Sequence, residues 1–99
     1  MSCPICDPKV GNIVMFSLGC RVLKHYTDPK RLLIAPHQHV ANLTELLQPT
    51  SGLLIVVANV ARLCKLENYQ LKMNQGSFQK EPHLHIHLIS TSVIQNIQP

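Results

Sequence analysis

Charge and aromatic rings are both scarce in this chain of 99 residues: 14% of positions are charged, 4% are aromatic and none is tryptophan. So little charge excludes a disordered, solvated polyelectrolyte. With 45% of residues apolar, surface has to be hidden in a sheet or an oligomer interface. The formal charge is +4, a mild balance that suits anionic ligands such as phosphates. Lys and Arg are scattered, with few aromatics among them, so a nucleic-acid polymer is not the expected partner. Long hydrophobic runs are also lacking. Leu53 to Ala58 is interrupted by Asn59 and is too short to span a bilayer, so no membrane is expected. The first apolar stretch begins at Ile13 and follows no basic segment, so no export signal is read. Four cysteines then read as thiols or metal ligands in a reducing compartment, and the expected location is the cytoplasm. Repeats, low-complexity tracts and linkers are missing too, which leaves one domain over residues 1–99.

What the chain does contain is β-prone. "IVMFS" (13–17) and "RVLKHY" (21–26) flank Leu18-Gly19-Cys20, a hairpin signal. "TDP" (27–29) marks a turn, and "RLLIA" (31–35) reads as a buried strand stopped by Pro36. Residues 50–66 are rich in Val and Ile, yet positions 53, 54, 57, 61 and 64 fall on one helical face, so a helix is predicted there. Thr50 or Ser51 is its expected cap. "YQLKMN" (69–74) alternates like a half-buried strand, and "NQG" (74–76) turns the chain. The sum is an α+β domain: a mostly antiparallel sheet of about five strands with one main helix packed on it.

The most informative stretch is "KEPHLHIHLIS" (80–90). If 83–90 is one strand, His83, His85 and His87 share a face, while Leu84, Ile86 and Leu88 share the other. A polar, solvent-facing row explains one histidine on a strand, but explains three in strict alternation poorly. Two kinds of chemistry remain open. Alternating histidines can hold a catalytic metal with one position left open. Alternatively, the middle imidazole is a nucleophile toward phosphorus, with one ring nitrogen donating to a backbone carbonyl and the other free to attack.

A second constellation is Cys3-Pro4-Ile5-Cys6, a spacing that lets two thiolates reach one tetrahedral ion. Further ligands have to come from afar: "APHQHV" offers His37 and His39, and the histidine run offers His83. Cys20 and Cys64 sit inside predicted elements and read as small core residues.

Taken in order, C-x2-C, "LLIAPHQH", a helix, "NQG" and "HLHIHL" resemble the histidine triad (HIT) superfamily, in particular its zinc-bearing, Hint-like branch of nucleotide hydrolases. The resemblance runs from Cys3 to about Leu88. It implies a HIT-like fold and a hydrolase or transferase that cleaves a nucleoside phosphoramidate or a related α-phosphate bond. His85 matches the family's nucleophile, which forms a nucleotidyl-histidine, and His87 matches the histidine that supports that step at the phosphate. Cys3, Cys6, His39 and His83 match ligands of a structural zinc, with no catalytic metal expected. Asn74 matches an asparagine near the phosphates and Asp28 an acidic residue near the ribose. The partners implied are a purine nucleotide or nucleoside phosphoramidate and a second copy of the chain in a homodimer. Just before the histidines the family's usual Gly-Gln-Ser/Thr order is replaced by "GSFQKEP" (76–82). Gln79 is kept there and Lys80 is gained, a point charge for phosphate or a solvated loop residue. That departure motivates one alternative, a catalytically weak or inactive module that binds nucleotides or protein. A metalloenzyme with its metal on the histidine strand is the other.

Overall fold

Alternation on the strands and one amphipathic helix generate the architecture. The computed structural model describes residues 13–25, 27–36, 40, 52–79 and 83–94. Strands β1 (Ile13–Ser17), β2 (Cys20–Lys24), β3 (Arg31–Pro36), β4 (Tyr69–Lys72) and β5 (Ile86–Ser90) form one sheet, and helix α1 (Leu53–Leu63) precedes β4. The order across the sheet is β1-β2-β3-β5-β4, and every neighbouring pair is antiparallel. Among the described residues the chain adopts the expected α+β arrangement, a five-stranded antiparallel sheet with one helix.

Leu18 and Gly19 make the predicted hairpin tight. Their φ angles are 47° and 74°, and Ser17 pairs with Cys20. Two consecutive left-handed residues match the twist of the flanking strands. The predicted strand at 21–26 is displaced, beginning at Cys20 and ending at Lys24. Beyond Lys24, the His25 Nδ1 accepts the backbone N–H groups of Thr27 at 3.3 Å and Asp28 at 3.0 Å, which turns the chain.

The helix is shorter than predicted, and its buried face is rotated. Leu53, Val56, Val57, Val60 and Ala61 face the core, while Leu54, placed on the buried face by the spacing, is 68% exposed. Val56 and Val60 are fully buried instead. Their β-branched shapes, weak formers in isolation, are kept here by tertiary packing. Thr50 and Ser51 lie outside the described residues. The residue that starts the helix is Gly52, left-handed at φ 55° and without a side-chain cap.

One face of the sheet carries Val22, Leu32, Ile34, Leu84, Ile86 and Leu88 into the helix-backed core, with Cys20 and Cys64 buried as expected of small apolar residues. Among the described residues no helix is long and apolar enough to cross a membrane.

Candidate functional site

The other sheet face carries the chemistry. Leu33 on β3 pairs with His87 on β5, and Lys72 on β4 pairs with His87 from the other side. Residues in register share a face, so this row lies opposite the helix, with Leu33 against Leu23 and Ala35. Arg31, paired with Ile89, is the diagonal neighbour of His87, a separation long side chains bridge.

Two of the three alternating histidines come together here, and the third does not. The rings of His85 and His87 lie 4.8 Å apart, centroid to centroid, at 71° to each other. His83 is fully buried, and its Nε2–H donates to the Pro36 carbonyl at 2.9 Å. The predicted strand over 83–90 therefore needs correction. The ladder with β3 begins at Ile86, and the Leu84 N–H bonds to the Val40 carbonyl instead. Burying His83 rather than displaying it follows from this departure. No three His, Cys, Asp or Glu side chains among the described residues converge on one point. That geometry counts against a metal nest made by His83, His85 and His87.

His85 is 6% exposed, and its Nδ1 lies 2.8 Å from the His83 carbonyl. A carbonyl oxygen only accepts, so Nδ1 carries the proton. In the neutral ring the lone pair then falls on Nε2. This is the tautomer a nucleophilic imidazole requires, fixed by the backbone two residues upstream.

His87 is half-buried, and its Nδ1 has no hydrogen-bond partner. Burial first, then the charges of His85, Arg31, His25 and Lys72, lowers its pKa from the usual value to about 4. At neutral pH its imidazole is uncharged. Two of the cations that act on it, Arg31 and Lys72, are residues the histidine pattern did not point to. Nothing in the sequence marked them, because cross-strand register selects them and spacing does not.

The remaining expected residues divide. Asn74 is half-buried two residues past Lys72, where β4's course runs toward the His85 end of the site. Gln79 closes a 3-10 turn over Gly76–Phe78 and is half-buried. Asp28 sits in the turn that leads into β3. Its carboxylate accepts the Lys30 N–H at 2.9 Å and meets the Arg31 Nε at 3.5 Å. A cleft of about 410 Å³ opens there, lined by His25, Thr27, Asp28 and Arg31 among others. Cys3, Cys6, His39 and Lys80 lie outside the described residues.

No family model matches the sequence, and no curated protein matches it either. Solved structures do. The chain is similar to the crystal structure of a HIT family hydrolase from Legionella pneumophila Philadelphia 1, with a TM-score of 0.68 and 22% identity. The match covers 94% of this chain and 93% of that one. The fold is HIT-like. At this identity the likeness concerns the fold, and the HIT-like sheet accounts for the order of strands and the placing of the helix between β3 and β4.

Proposed function

We propose that the chain is a HIT-type nucleotidyl hydrolase or transferase, acting in the cytoplasm on a purine nucleoside phosphoramidate or a related α-phosphate compound. The observation that carries this is the His85 Nδ1–H bond to the His83 carbonyl, which directs the lone pair to Nε2. The HIT-like fold, shared with a protein described as a hydrolase, supports the same reading.

Nε2 of His85 attacks the α-phosphorus in line. A P–Nε2 bond forms as the P–N or P–O bond to the leaving group breaks, and the leaving group departs with the electron pair. Water then attacks the same phosphorus, the P–Nε2 bond breaks, and the nucleotide is released with His85 restored. In this reading His87 and Asn74 donate to the phosphoryl oxygens, the contribution that dominates such catalysis.

A structural zinc on Cys3, Cys6, His39 and His83 belongs to this reading. His83 fits the role. Its Nε2–H is taken by the Pro36 carbonyl, the outer contact that orients a ligating imidazole, so Nδ1 would be the ligating atom. The ion would pin the N-terminal segment beside the catalytic histidines and take no part in the reaction. A homodimer also belongs to it, supported by exposed Leu54, Ile55 and Leu63 on α1 and Leu71 on edge strand β4.

The test is hydrolysis of adenosine 5′-phosphoramidate by the wild type beside His85→Ala. Turnover present in the first and lost in the second is the expected result, and equal turnover would refute the assignment. A second reading, a HIT-fold module that binds without turnover, is favoured by the 3-10 turn Gly76–Phe78 with Phe78 77% exposed. It predicts AMP binding with no hydrolysis by either protein.

A further inference from the structure

We propose that Arg31 and Lys72 form an anion clamp astride His87, made by sheet register, which holds the oxygens of the phosphate that His85 attacks. The clamp rests on the proposed function only for the position of that phosphate. The geometry is cross-strand. Lys72 is the direct partner of His87, with side chains ~5 Å apart at Cβ, and Arg31 is its diagonal neighbour at ~7–8 Å. Both distances are well within the reach of these side chains, and the two approach from opposite sides of β5.

Electrostatics agree with this placement. Arg31 and Lys72 both act on the His87 ring, which they help to keep uncharged. An incoming phosphate group thus meets two cations around a neutral imidazole donor. Arginine offers a planar fork of donors and lysine a compact point charge, two complementary ways of holding phosphate.

Arg31 is also held in place. The His25 ring accepts the Thr27 and Asp28 N–H groups, and the Asp28 carbonyl takes the Arg31 N–H at 3.2 Å. The Asp28 carboxylate then meets the Arg31 Nε. His25 is a positioning residue in this scheme, acting on phosphate only through Asp28 and Arg31. An edge-strand lysine also discourages unwanted strand pairing. What singles out Lys72 is its pairing with His87, and among the described residues no carboxylate forms an ion pair with it.

The experiment is a titration with inorganic pyrophosphate, followed by NMR at the His87 ring, for the wild type, Lys72→Gln, Arg31→Gln and Arg31→Lys. The expected result is saturable binding that weakens about five- to tenfold in each Gln variant. Arg31→Lys recovers part of the loss, and each Gln variant shows a shallower dependence on salt. No shift at His87 in the wild type, or equal affinity across the variants, overturns the clamp. Failure of the nucleotidyl reading looks different. Pyrophosphate affinity would depend on Arg31 and Lys72 while adenosine 5′-phosphoramidate stayed intact.

Discussion

The two faces of one sheet are built from alternate residues of the same strands, yet they do opposite things. On β5, Ile86 and Leu88 enter a core backed by α1, while His87 and Ile89, one step along, are only half-buried on the open face. On β3, Leu32 and Ile34 are buried, whereas Arg31 and Leu33 face the histidines. The helix covers the larger core, and the face away from it holds a smaller buried cluster of Leu23 and Ala35. Polar groups on that second face stand next to a packed apolar layer. A site of this kind is held accurately because its support is core and not loop.

The sharpest way to break the comparison is to change one residue on each face. His85→Ala, on the face away from the helix, is expected to lower turnover of adenosine 5′-phosphoramidate by about a thousandfold or more. Leu88→Ala, fully buried on the other face, is expected to cost about 2–5 kcal/mol of stability. Denaturant unfolding measures it. A cost near zero would mean that the helix face is not the core.

Acid tests the open face more gently. The His87 pKa is about 4 in the folded chain and near 6.5 when unfolded. Between those values the unfolded chain binds the extra proton, so stability is full above about pH 6.5 and falls as the pH drops toward 4. The full shift corresponds to about 3 kcal/mol, and solvent screening of this half-buried ring reduces the loss to the order of 2 kcal/mol. On acidification across that window the thermal midpoint of the wild type should fall more than that of His87→Gln, and parallel curves would show that His87 is not depressed.

Gly52→Ala gives the smallest effect and concerns the helix that separates the faces. Its φ is +55°, and an added Cβ would meet the Leu18 Cβ at 3.2 Å. A destabilisation of about 1 kcal/mol is expected, and a neutral or stabilising result would show that the helix start relaxes freely.

How much of this was legible in the sequence varies by element. "IVMFS" maps onto β1 residue for residue, since alternation and a Leu-Gly turn leave it little choice. The helix was legible as a helix but not in its face, because Leu54 and Val56 differ in burial for reasons set by the sheet beneath. In the histidine run, spacing put three imidazoles on one face, and the rings of His85 and His87 do lie together. It could not show His83 leaving the shared face, which depends on a ladder that starts only at Ile86 and on hydrogen bonds to Pro36 and Val40. Arg31 and Lys72 were invisible for the same reason. Their partners are 56 and 15 residues away along the chain, from Arg31 to His87 and from Lys72 to His87, and only register joins them.

The central claim is that His85 becomes covalently bonded to phosphorus through Nε2. Intact-protein mass spectrometry after rapid acid-free quenching of the wild type with adenosine 5′-phosphoramidate measures it directly. The account predicts a transient species heavier by one AMP moiety, absent from His85→Ala. Hydrolysis proceeding in the wild type with no adduct, or an adduct persisting in His85→Ala, would contradict it.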